Sequence, residues 1–176
     1  MIRKIEVERF TLRSSKSFDQ VVAALNSAVG HPGMAEFWKS THRAQSDAEL
    51  QKTIEKGLGR TGLMLFVEFD HGAVVRSGTG RATPRMIRFV IGNPLIMREM
   101  AKHVPDAGSY APVTVLVDER ADGIHLSDDR MTSFLAPIKM QRLSTSPENW
   151  MQRLRPCLSQ QRPNECGRSG TKKMNQ

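Results

Sequence analysis

Cysteine is nearly absent: the 176 residues contain two, Cys157 and Cys166, both near the C-terminus. That excludes a disulfide-built scaffold and a cysteine-based structural zinc site. It also leaves the first 137 residues without a thiol nucleophile. No apolar run approaches the roughly 18 residues that a membrane-spanning helix needs. The opening Met1-Ile-Arg-Lys-Ile-Glu-Val-Glu alternates charge with aliphatics and does not read as a signal peptide. A cytoplasmic protein without membrane association is therefore expected. There is no internal repeat, no Gly-x-Ser-x-Gly elbow and no Gly-Lys-Ser/Thr phosphate loop. His31, His42, His71, His103 and His125 stand in no metal-ligand spacing, so no metal site is expected, and the residues specify no cofactor.

What is present is a hydrophobic content of 39%, enough for a buried core, and a net charge of +8. The charge is unevenly placed. Residues 1–137 hold 18 basic and 16 acidic side chains, a net of +2, whereas residues 138–176 hold 8 and 2, a net of +6. The chain therefore divides into a nearly neutral domain, 1–137, and a basic tail, 138–176, rich in Gln, Asn, Arg and Gly and without apolar periodicity. Such a composition reads as disordered, and its charge is the only argument for a nucleic-acid partner.

A second reading of the tail comes from its codons. Asn149-Trp150-Met151-Gln152 requires AAY-TGG-ATG-CAR, which read from each third base gives Leu-Asp-Ala without ambiguity. Met140-Gln141 likewise forces an alanine. The remaining codons permit a string with apolar residues at helical spacing and strong helix formers, which the actual frame lacks. A single-base deletion near Pro137 connects the two frames, so a frameshift origin for the tail is expected.

Within the domain, Ile5 and Val7 alternate with charge before the phase slips at Arg9, predicting a first strand with a bulge continuing through Phe10 and Leu12. Ser17-Phe-Asp-Gln20 is a capping box, with Phe18, Val21, Val22, Leu25 and Val29 on one helical face. Met34, Phe37 and Trp38 predict a short helix. Ser46-Asp-Ala-Glu49 is a second capping box, followed by Leu50, Ile54 and Leu58. Leu63 to Phe69 is nearly all apolar, the pattern of a strand covered on both faces. Ala73 to Pro84 reads as a Gly- and Arg-bearing loop or hairpin. Met86 to Ile91 is a strand, and Asn93-Pro94 caps a helix burying Ile96, Met97, Met100 and Val104. Val113 to Val117 and Ile124 to Ser127 form a hairpin through Asp122-Gly123. Met131 to Leu135 starts a last helix that stops at Pro137. This order predicts an α+β fold, a two-layer sandwich with a mainly antiparallel sheet and helices packed on one side.

Gly62-Leu-Met-Leu-Phe-Val-Glu-Phe-Asp-His-Gly72, Phe89-Val-Ile-Gly-Asn-Pro-Leu95 and Tyr110-Ala-Pro112 before Val115-Leu-Val117 together resemble the domain of unknown function 302 family. The resemblance runs from about Lys4 to Pro137. It implies a small bacterial α+β protein, often dimeric, with no agreed activity. The family commonly carries Ser-Tyr-Asp where this chain has Ser127-Asp128-Asp129, so a carboxylate replaces an aromatic. The family also continues past Leu-Ala-Pro into a helix containing Leu-Asp-Ala-Lys, in agreement with the alternative frame.

The candidate ligand-binding residues are Asp70, His71, Asn93, Tyr110, Arg85 and Arg88. Asp70-His71 stands where a strand ends, although neighbours on a strand face opposite ways and the plainer role for Asp70 is to start a turn. Asn93 opens a helix whose free N–H groups suit an anion, or simply caps it. Arg85 and Arg88, with Arg76 and Arg81, would complete an anion site by converging there, or line a solvated edge. Tyr110, the only tyrosine, offers one hydroxyl. The methionines at 64, 86, 97, 100 and 131 read as core filling. With no catalytic set, the expected function is non-enzymatic small-ligand or partner binding by a homodimer. The alternatives are an enzyme acting on a small anionic substrate and nucleic-acid binding through the basic tail.

Overall fold

The computed structural model describes residues 2, 4–79 and 83–135. Five strands form one sheet in the order β1-β5-β4-β3-β2, and every neighbouring pair is antiparallel. The chain runs β1 (Arg9–Ser14), α1 (Phe18–Ala28), α2 (Met34–Arg43), α3 (Asp47–Gly57), β2 (Met64–Asp70), α4 (His71–Thr79), β3 (Met86–Gly92) and α5 (Pro94–His103). A short 3-10 turn (Pro105–Ser109), β4 (Val113–Arg120), β5 (Gly123–Asp129) and α6 (Met131–Leu135) complete it. The architecture is the predicted α+β sandwich.

Strand alternation builds the core. Val113, Val115 and Val117 of β4 are buried and lie opposite Ile91, Phe89 and Ile87 of β3, while Leu126 of β5 lies opposite Val117. Phe18, Val21, Leu25 and Ala28 of α1 and Met100 of α5 pack into the same cluster. A second, smaller cluster joins Phe37 of α2 and Ile54 of α3 to Met64 at the start of β2. The two meet where three segments cross: Gly30 and Gly59 both donate their backbone N–H to the Leu63 carbonyl, at 2.8 Å each, and Leu65 donates to Gly30. A Cβ on Gly30 would stand 2.0 Å from the Gly57 carbonyl oxygen, so only glycine admits this crossing.

Local chemistry explains most element starts. Ser17 and Gln20 cap α1 reciprocally, as the capping box predicts. At α3 the box is only half formed: Ser46 accepts from Glu49, but the Glu49 carboxylate reaches Gln45 rather than Ser46. Asn93 accepts from Leu95 and Pro94 takes the first helical position of α5.

Several expectations change. β1 begins at Arg9 and pairs with β5 without a bulge; Ile5 and Val7 precede it because β5 ends at Asp129, opposite Arg9. The register shift lies instead in β2, between Leu65 and Val67. β2 is not covered on both faces but is an edge strand, with Val67 38% and Phe69 44% exposed. Of the segment from Ala73 to Pro84, expected as loop or hairpin, the part through Thr79 belongs to α4, because the Asp70 carboxylate accepts from the Ala73 N–H at 2.7 Å and starts a helix rather than a turn. The β4–β5 hairpin turns on Ala121-Asp122, with Gly123 already paired to Arg120 at φ 133°. β5 extends through Asp129, so Ser127-Asp128-Asp129 lies inside the strand. Arg81, Pro137 and the tail 138–176 lie outside the described residues.

Candidate functional site

At the end of the sheet where β2 begins and β3 finishes, Met64 lies opposite Gly92. A cavity of about 220 Å³ opens there, bounded by the first turns of α5, the segment entering β4, α2 and α6. Each wall follows from a local feature. Gly92 has no side chain, so Pro112 and the Phe66 ring approach within 3.1 and 3.4 Å of where a Cβ would stand. Asn93 caps α5 through Oδ1 and, through Nδ2, donates to the Gly62 carbonyl at 3.0 Å, tying the loop before β2 to the helix start. Ile96, Met97 and Met100 project from α5. Met131 contributes from α6, and Ala111-Pro112, joined by a cis peptide, from the approach to β4.

The depth of the cavity is graded. Leu63, Met100 and Met131 are buried, whereas Trp38 is 44% exposed. The Trp38 and Phe66 rings stack with centroids 6.2 Å apart and planes 28° from parallel. Among the described residues no lining side chain is ionisable, and Asn93 supplies the side-chain amide.

Of the six candidate residues, Asn93 alone lines this cavity. Tyr110 is stacked on Phe134 at 4.8 Å and packed against the core. Asp70 and His71 stand at the other end of β2, about 20 Å away at some 3.3 Å per residue. Asp70 also meets Arg76 at 3.6 Å, and the His71 ring stacks on Phe69 at 5.9 Å. Arg85 makes two hydrogen bonds to Asp19, of 2.9 and 2.6 Å, and lies 4.3 Å over the Phe18 ring. That guanidinium holds the Asp19 carboxyl below its usual range, chiefly by hydrogen bonding. Arg88 is exposed, in register with Phe69 and Leu116 on the sheet face away from the core. The six side chains are therefore distributed over the molecule rather than gathered, and the arginines do not meet at Asn93. Among the described residues no group of three or more His, Cys, Asp or Glu is placed to hold a metal ion, and no helix is long and apolar enough to cross a membrane.

Sequence reasoning missed the cavity walls. Trp38, Phe66, Met97 and Met131 lie on apolar stripes, and periodicity does not distinguish a side chain facing the core from one facing a cavity in it. It also missed Asp128. This carboxyl is 5% exposed on the core face of β5, opposite Phe10 and Val115, and its Oδ1 meets no hydrogen-bond partner among the described residues. Burial, helped by the neighbouring Asp129 charge, raises its pKa to about 8. The Ser-Asp-Asp departure from the family pattern was the available signal.

Residues 44–160 match the family model described as Domain of unknown function DUF302, and the chain belongs to that family. The match extends beyond Pro137 and begins later than the resemblance read from the residues. A search of curated proteins finds no relative. Among solved structures the fold is similar to a crystal structure of the uncharacterized conserved protein DUF302 from Bacillus stearothermophilus. The identity is 12% and the TM-score 0.51, over 85% of this chain and 94% of that one.

Proposed function

We propose that this member of the DUF302 family is a non-catalytic binding domain whose small, largely apolar ligand occupies the cavity between β2, α5 and α6. One observation carries the reading: among the described residues the cavity walls hold an amide and thioethers but no acid, base or nucleophile. Such a surface recognises by shape and desolvation. The anionic ligand expected from the arginines finds less support, because Arg85 is engaged by Asp19 and neither Arg85 nor Arg88 reaches Asn93. An enzyme built on Asp70, His71, Asn93 and Tyr110 is less favoured too, since β2 separates the first pair from Asn93. A cytoplasmic location belongs to the same reading, and cell fractionation tests it.

Thermal denaturation of the full chain against a panel of neutral apolar fragments tests the cavity. The expected result is a rise in Tm with some fragments, abolished in Met97→Trp or Ile96→Trp, which fill the space. No rise for any fragment contradicts the reading.

A homodimer is proposed as the second element, from a different observation. Val67 and Phe69 on edge strand β2, with Val74 and Val75 on α4, are exposed by 38, 44, 72 and 42%. An edge that no strand covers among the described residues, flanked by apolar side chains, is a natural seat for a second copy. Sedimentation is expected to show a dimer that Phe69→Lys weakens; a monomer at high concentration excludes it.

A further inference from the structure

From the size, charge and aromatic lining of the cavity, we infer that its ligand is a neutral, flat, one- or two-ring aromatic molecule. This rests on the cavity reading above and narrows it. Volume sets the first limit. A dry apolar cavity of about 150 Å³ accepts one benzene, so 220 Å³ holds a bicyclic ring system. A haem, a flavin or a long acyl chain exceeds it. Charge sets the second limit: an ionised ligand would leave water for walls with no counter-charge, at a cost that shape complementarity does not recover.

The aromatic character of the ligand follows from what stands at the open and closed ends. The stacked Trp38 and Phe66 rings offer a planar platform where the cavity meets solvent. A flat ring placed against it extends the offset stack. Behind it, the thioethers of Met97, Met100 and Met131 supply polarizable sulfur, which favours aromatic rings over aliphatic ones. The Asn93 amide has already given one N–H to Gly62 and accepted from Leu95. Its second N–H is a directional donor that neither bond uses, enough for one carbonyl or ring heteroatom.

The test compares indole with cyclooctanol, which has the same number of non-hydrogen atoms but is puckered and aliphatic, by calorimetric titration into the full chain. Indole is expected to bind with a dissociation constant below about 1 mM, and about tenfold more tightly than cyclooctanol. Trp38→Leu, at a position 44% exposed and with folding checked by circular dichroism, is expected to erase that preference while cyclooctanol binding survives. Equal affinities in the native chain overturn the aromatic inference and leave the cavity reading standing. Failure of both probes to bind overturns the two together. Octanoate binding as tightly as indole would overturn the neutral class.

Discussion

Asp128 is a carboxyl facing a core of Val115, Phe10 and their neighbours, with its Oδ1 unpartnered among the described residues and its pKa raised to about 8. In the unfolded chain the same group titrates near 3.9. Between the two values the folded state holds more protons than the unfolded one, so stability is complete below about pH 4 and declines as pH rises through 8. The loss is on the order of 3 kcal/mol, the scale of an uncompensated buried charge. Asp128→Asn is expected to remove this decline, and its Tm advantage over the native protein should grow from pH 5 to pH 9. Parallel Tm–pH curves would show the carboxyl to be solvated. Residue-scale chemistry was legible in the sequence where it is local: the Ser17 and Asn93 caps need only their neighbours to be recognised. It was not legible for Arg85, whose partner Asp19 is 66 residues away.

Elements were legible where periodicity and capping agree, as in α1, α3, α5 and the β4–β5 hairpin. They were misread where neighbours in space decide. The apolar run of β2 resembles a buried strand, yet it forms the edge, because nothing in one strand's sequence states which of its sides another strand occupies. α4 was hidden by Gly72, Gly78 and Arg76, although the Asp70 cap was present. The crossing of α1, α3 and β2 at Gly30 is expected to be the least tolerant point of the framework. Gly30→Ala forces a methyl against the Gly57 carbonyl and should cost more than about 3 kcal/mol, whereas Ser17→Ala, which deletes one cap, should cost about 1 kcal/mol. Urea unfolding ranks the two; equal losses would mean that the crossing relaxes. Because this crossing fixes the backbone at Leu63 and Leu65, it also holds one wall of the cavity.

For the whole molecule, the charge is unevenly divided along the sequence. Residues 1–137 carry +2 and residues 138–176 carry +6, so deleting residues 138–176 is expected to abolish any salt-dependent nucleic-acid binding. Binding that persists after deletion would return nucleic acid to the list of partners. We propose a shifted reading frame as the origin of the segment after Pro137; the family match to residue 160 includes part of it, and the nucleotide sequence around the Pro137 codon decides the matter. Fold class was legible because element order alone restricts the sandwich. The cavity was not, since it arises between five segments whose residues each look like ordinary core. Methionine methyl NMR reads occupancy of the cavity directly. With indole added to the ¹³C-methyl-labelled full chain, the Met97, Met100 and Met131 signals should shift together and saturably, while Met86, at the opposite end of β3, stays in place. Unmoved signals at all three, or shifts spread evenly over every methionine, would contradict it.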